Sequence, residues 1–112
     1  MNIVLTGLRG SGKTQLGKAL SRKLIWDFVD LDREIEKEEG KSIKDIVATR
    51  GWEYFRAKET EVTKKIARLE KIIIATGGGT IVDRENEKAL KKGGKIVYLY
   101  RKPEDCIKYI QN

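Results

Sequence analysis

The sequence predicts an α/β fold built on a parallel sheet, and three observations carry that prediction. The runs Ile3-Val4-Leu5 and Ile72-Ile73-Ile74-Ala75 are apolar without polar alternation, the pattern of strands covered on both faces. Between them lie segments whose apolar residues recur at helical spacing. Glycines close both runs, at Gly7 and at Gly77-Gly78-Gly79. Strands that alternate with helices pair in parallel through right-handed crossovers.

Each element follows from local pattern. Ile3 to Leu5 forms the first strand, and a glycine loop leads into a helix carrying Leu16, Ala19, Leu20 and Leu24. A second strand is predicted at Ile25 to Val29. An exposed, highly charged helix follows Asp30 through Glu36 and ends at Gly40. Ser42 caps a short helix with Ile43, Ile46 and Val47, and Gly51 breaks the chain before a longer helix from Trp52 to Leu69, whose apolar face holds Phe55, Val62, Ile66 and Leu69. After the strand at 72–75 comes a helix from Arg84 to Lys92, a break at Gly93-Gly94, and a fourth strand at Ile96 to Tyr100. Pro103 opens a further helix that has only reached Asn112 at the end of the sequence.

Composition excludes several functions. At 112 residues the chain is at most one domain, and 39% hydrophobic residues are enough for one modest core. No apolar run reaches the ~18 residues of a membrane span, and Met1 to Gly7 runs into the glycine loop without a basic leader, so a cytoplasmic protein is expected. One cysteine, Cys106, closes no internal disulfide, and the absence of histidine removes imidazole catalysis and the common zinc clusters. The net charge of +7 admits nucleic acid, an acidic membrane surface or a phosphorylated small molecule, although a balance of this sign is more often a solvated surface. Its lysines and arginines are interleaved with acids and no aromatic-basic motif stands out, which disfavours nucleic acid.

Gly7-Leu8-Arg9-Gly10-Ser11-Gly12-Lys13-Thr14 matches G-x-x-x-x-G-K-[ST] between a predicted strand and a predicted helix, the context this motif requires. Its backbone N–H groups and the helix start cradle phosphate, Lys13 reaches the outer phosphates, and the Thr14 hydroxyl ligates Mg²⁺. Asp30 and Asp32 follow the second strand and both can face the crevice at the sheet's carboxyl edge, one for a metal and one for a substrate hydroxyl; an Asp in that place also serves as a helix N-cap. Arg56 and Glu59 share a helix face, as a surface ion pair or with Arg56 clamping a carboxylate bidentately. Three glycines in succession cost backbone entropy unless something approaches the main chain closely.

Taken together, the phosphate loop, Phe28-Val29-Asp30-Leu31-Asp32 with Ile35-Glu36, Phe55-Arg56 with Glu59, and Ala75-Thr76-Gly77-Gly78-Gly79 resemble, in order and spacing, the shikimate kinases. The resemblance runs essentially end to end. It implies a three-layer αβα P-loop kinase core with sheet order 2-3-1-4 and a fifth strand lying outside this chain. It implies transfer of the ATP γ-phosphate to the shikimate 3-hydroxyl, with ATP/ADP and Mg²⁺ as cofactors. Gly7, Arg9, Gly10, Ser11, Gly12, Lys13 and Thr14 would bind nucleotide, with Thr14 and Asp30 serving the metal. Lys13 and Asp32 would be catalytic, Lys13 on the transferred phosphoryl and Asp32 on the acceptor hydroxyl. Arg56 would clamp the shikimate carboxylate and Gly78 offer a backbone N–H, with Gly77, Gly79, Phe55 and Glu59 completing the substrate pocket.

The same resemblance implies that residues 1–112 are an incomplete domain that stops before the family's arginine-bearing lid and last strand. An unpaired apolar edge on the fourth strand follows, in a monomer unless a partner pairs it. Arg9 in the loop and Trp52, where the family more often has Glu, depart from the pattern. A kinase for another polyhydroxy acid such as gluconate, or a nucleotide-binding module without turnover, remain as alternatives.

Overall fold

A computed structural model describes residues 1–7, 12–77 and 79–99. Arg9, Gly10, Ser11, Gly78, Tyr100 and the helix predicted after Pro103 lie outside the described residues. Four strands, β1 (Asn2–Gly7), β2 (Asp27–Asp30), β3 (Ile72–Ala75) and β4 (Gly94–Leu99), form one parallel sheet in the order β2-β3-β1-β4. The order is the expected 2-3-1-4. Helix α1 (Lys13–Leu24) follows β1; α2 (Leu31–Glu39), α3 (Ile43–Arg50) and α4 (Trp52–Ala67) lie between β2 and β3; α5 (Arg84–Gly93) joins β3 to β4.

β3 is buried along its whole length and sends alternate side chains into two cores. Ile73 joins Leu5, Leu16 and Leu99 beneath α1. Ile72 and Ile74 join Val4, Leu31, Ile35, Ile46, Phe55, Val62 and Leu90 beneath α2, α3, α4 and α5. Helix on sheet on helix is the three-layer arrangement the sequence predicts. The charged helix α2 is not simply exposed, because Leu31 and Ile35 sit one turn apart on its inner face and are fully buried.

Four boundaries differ from expectation. Ile25 is not in β2: it ends α1 in the left-handed region at φ 57 and is 91% exposed. Its β-branched side chain read as strand, but the chain must reverse there, and β2 begins at Asp27. Leu69 lies beyond α4, which stops at Ala67, and is about half exposed rather than on the helix's apolar face. The pair Gly93-Gly94 is not a loop, since α5 runs through Gly93 and β4 starts at Gly94, two residues before the predicted Ile96.

Close approach, not turn geometry, accounts for these two glycines. A Cβ on Gly93 would stand 2.6 Å from the Ala67 carbonyl oxygen at the end of α4, and one on Gly94 would overlap the backbone of Asn2 in β1. Asn2 closes the same corner from its other side, donating from Nδ2 to Leu69 O at 2.8 Å and accepting from Ile72 N at 3.1 Å on Oδ1.

Gly93→Ala is therefore expected to destabilise the fold by ~1–3 kcal/mol, the usual cost of forced overpacking, despite alanine's better helix propensity. Denaturant unfolding checks this; a midpoint equal to or above that of the parent would contradict it.

Candidate active site

Ala75 pairs with Leu5 of β1 on one side and with Asp30 of β2 on the other. β2 and β3 thus finish level while β1 runs two residues further, to Gly7, and the start of α2 meets the chain after β3 at the sheet's carboxyl edge, Asp32 against Gly77. Thr76 fastens the junction, its N–H donating to Leu5 O at 3.0 Å and its hydroxyl to the same oxygen at 3.3 Å. The chain leaves β1 toward β2 but leaves β3 in the opposite direction, toward β4. Such a switch point opens the crevice in which α/β sheets bind ligands.

A cleft of 890 Å³ occupies this crevice, walled by Lys13 and Thr14 from α1, Asp30 and Asp32 from the β2–α2 junction, and Thr76 and Gly77 after β3. Arg33, Glu36 and Lys44 stand at its rim. Gly12, the N-cap of α1, sits at φ 88, a left-handed conformation that glycine takes without penalty. Among the described residues no side chain caps α1, and its first turn carries no acid, so its dipole favours an anion at the cleft. Lys13 Nζ donates to Gly7 O at 2.7 Å, which holds the ammonium at the root of the loop.

The two aspartates play different parts. Asp30 caps α2, its Oδ1 accepting from Asp32 N at 3.1 Å and Arg33 N at 3.4 Å. The capping alternative is thus realised while Asp30 still borders the cleft. Asp32, in the first turn of α2, presses against the chain after β3: a Cβ on Gly77 would put Asp32 Cγ 2.8 Å away. Burial, reinforced by the charges of Asp30, Glu59 and Glu36 and only partly offset by Lys13, pushes the Asp32 carboxyl up to about 6.

Arg56 and Glu59 are more than a surface pair. Glu59 is 2% exposed, and its Oε1 accepts from Arg56 Nη1 at 3.0 Å while Oε2 accepts from the Thr80 hydroxyl at 3.0 Å. The Arg56 guanidinium lies 5.3 Å from the Trp52 ring centre and 5.4 Å from that of Phe55, and a Cβ on Gly79 would stand 2.5 Å from its Nη1. Phe55 itself is buried in the core, edge-on to Trp52. The glycines after β3 thus admit two side chains of the protein, Asp32 at Gly77 and Arg56 at Gly79. Sequence reasoning passed over Thr80, Lys44 and the part Trp52 plays under Arg56. Trp52 stood out as a departure from the family pattern, but nothing local marks Thr80, whose partner is 21 residues away.

Among the described residues no three Asp, Glu, Cys or His side chains group as a self-sufficient metal site, and no helix is long and apolar enough to cross a membrane. The oxygen donors at the cleft, the Thr14 and Thr76 hydroxyls and the carboxylates of Asp30, Asp32 and Glu36, fit a hard cation that shares its shell with phosphate oxygens and water.

Sheet order, switch-point cleft and the motif at the β1–α1 junction define a P-loop α/β core. The model of the shikimate kinase family matches residues 9–112, and the chain belongs to that family. The shikimate kinase of Alkaliphilus oremlandii is 46% identical over 102 residues, covering 91% of this chain and 60% of its own length. Among solved structures, shikimate kinase from Acinetobacter baumannii in complex with shikimate superposes with a TM-score of 0.86 at 38% identity, over 96% of this chain and 60% of that one. The enzyme from Aquifex aeolicus gives a TM-score of 0.86 at 39% identity, over 94% and 62%. The chain therefore spans about 60% of the length of these relatives. A gluconokinase from Sinorhizobium meliloti, 18% identical with a TM-score of 0.51, shares the fold alone.

The raised Asp32 carboxyl has a consequence for stability. In the unfolded chain the group ionises near its ordinary 3.8, while in the folded chain it keeps its proton until about 6. Between these values the folded state binds more protons, so stability from this group falls as pH rises through the interval and is level above it. Asp32→Asn is expected to stabilise the protein at pH 7 by on the order of 1–2 kcal/mol, after discounting for solvent at the carboxylate, with the gain vanishing in acid. Thermal unfolding of both variants across this range is the check; parallel curves would contradict it.

Proposed function

We propose that the protein carrying this chain transfers the γ-phosphoryl group of ATP to the 3-hydroxyl of shikimate, giving 3-phosphoshikimate and ADP. The observation that carries the reading is the placement of Asp32, a carboxyl raised toward neutrality and set against Gly77 in the cleft it shares with Lys13 and Thr14. Catalytic bases are tuned in this way, and a module that only holds nucleotide gains nothing from so costly a group.

The phosphates lie on the α1 N-terminus and the loop of Gly7, Arg9, Gly10, Ser11 and Gly12, with Lys13 balancing the charge of the transferred group. Asp32 accepts a hydrogen bond from the acceptor hydroxyl and takes its proton as the oxygen bonds to the γ-phosphorus. The bond from that phosphorus to the bridging oxygen breaks, and ADP leaves. Mg²⁺, held by Thr14 and Asp30, neutralises phosphate charge when bound. Arg56 takes the shikimate carboxylate with its exposed edge; Gly77, Gly78 and Gly79 complete the acceptor pocket, while Phe55 and Glu59, both buried, back it by supporting Arg56. Arg56 suits a carboxylate of either acid; what favours shikimate over gluconate is the 38% identity to an enzyme solved in complex with shikimate, against 18% to the gluconokinase. Such a reaction belongs to the cytoplasm, with a monomeric enzyme and a small-molecule partner.

Coupled ADP-release assays on the full-length gene product test this, with shikimate and gluconate offered in parallel. Shikimate is expected to be turned over and gluconate not; equal use of both, or of neither, would sink the assignment. Lys13→Ala should lower turnover by ~10²- to 10³-fold with unchanged circular dichroism, as for loss of one stabiliser of transition-state charge.

Asp32→Asn should lower kcat by ~10²-fold or more with KM for ATP little altered. In the parent, kcat/KM should fall as pH drops below about 6, where the carboxyl takes up its proton. A flat profile through this range would remove Asp32 as the base.

A further inference from the structure

We infer that Thr80 is a positioning residue for Arg56, acting through Glu59. The inference rests on the reading of Arg56 as the group that takes the substrate's carboxylate, and extends it to a residue that touches neither substrate nor nucleotide.

A carboxylate as buried as that of Glu59 is tolerated only when its oxygens are hydrogen-bonded. Glu59 divides them, with Arg56 Nη1 on Oε1 and the Thr80 hydroxyl on Oε2. Were the hydroxyl removed, Oε2 would lose this donor, and rotation of the carboxylate to recover one would carry Oε1 away from the guanidinium. Thr80 is itself fixed. It is fully buried, its N–H donates to Gly77 O at 3.3 Å, and its carbonyl accepts from Asn86 Nδ2 at 3.1 Å. Asn86 sits in the first turn of α5, where its N–H is held by the capping Asp83 at 3.4 Å. A continuous line of hydrogen bonds therefore runs from the start of α5 through Asn86, Thr80 and Glu59 to Arg56.

Among the described residues the other surfaces that bound Arg56 set no direction. The Trp52 ring lies on one side and the chain at Gly79 abuts Nη1. Its side chain is 47% exposed, so the Glu59 carboxylate is what gives the fork its heading. A bidentate clamp depends on that heading more than on distance.

Thr80→Val removes the hydroxyl at constant shape, and Thr80→Ser keeps the hydroxyl while losing a methyl group. In the full-length protein Thr80→Val is expected to raise KM for shikimate about tenfold, as for loss of one hydrogen bond to a charged group, with KM for ATP unchanged. Thr80→Ser is expected to hold KM for shikimate near the parent value even where its melting temperature falls. A merely structural Thr80 would show the reverse, KM following stability in both variants. Nitrogen-15 NMR of the Arg56 Nε–H group supplies a readout independent of substrate, expected to show faster proton exchange with solvent in Thr80→Val only. If Thr80→Val leaves both that signal and KM at the parent values, the positioning inference falls and the substrate reading stands. If the parent does not use shikimate while Thr80→Val still loosens Arg56, the substrate reading falls and the positioning stands.

Discussion

The arrangement depends on one register. Ala75 lies opposite Leu5 and Asp30 at once, so β2 and β3 end at the same height and β1 ends two residues above them. A slip of one residue would turn Ile73 and Ile74 to the wrong cores, which burial on both faces of β3 forbids. Because the register is locked by apolar packing, the elements that carry the polar groups of the site start from fixed points. Lys13, Asp32 and the glycines after β3 are placed by where their strands stop.

The site also needs α2, which bears Asp32, to keep its distance from α4, which bears Arg56. Beneath the two helices Leu31 and Ile35 share a core with Phe55 and Val62. On their outer edge Lys58 of α4 bridges to Glu38 at 3.0 Å and Glu39 at 3.8 Å, Lys65 pairs with Glu38, and the Tyr54 hydroxyl donates to Glu39 at 2.9 Å. Hydrogen bonds from Lys65 and Lys58 hold the Glu38 carboxyl below its ordinary range. Each pair taken singly contributes little at a surface, but several charges sharing partners form a network that fixes orientation. Negative charge on this flank is thus compensated by direct ion pairs, whereas around Asp32 the charges of Asp30, Glu59 and Glu36 outweigh that of Lys13.

Much of this was legible in the sequence for a definite reason. Continuous apolar runs name buried parallel strands, and the phosphate loop has a pattern whose glycines and lysine answer to geometry. Asp32, Arg56 and the triple glycine were legible as candidates. What stayed hidden depends on distant neighbours. Gly93 and Gly94 read as a turn because their need for space comes from Ala67 and Asn2. Ile25 read as strand because β-branching is a local preference that a chain reversal overrode. That Asp30 caps α2 shows only in its bonds to Asp32 N and Arg33 N, and the Thr80–Glu59 contact leaves no mark in the sequence around either residue.

The central claim is that an acceptor acid sits between Asp32 and Arg56 at the exit of β3. Titration of the isotopically labelled protein with shikimate, followed by NMR, tests it most directly. The account predicts shifts in the Asp32 carboxyl carbon, the Arg56 guanidinium, and the Gly77 and Gly79 amides, saturating together. Shifts confined to the basic groove of Lys64, Arg68 and Lys92 between α4 and α5, with Asp32 and Arg56 unmoved, would contradict it.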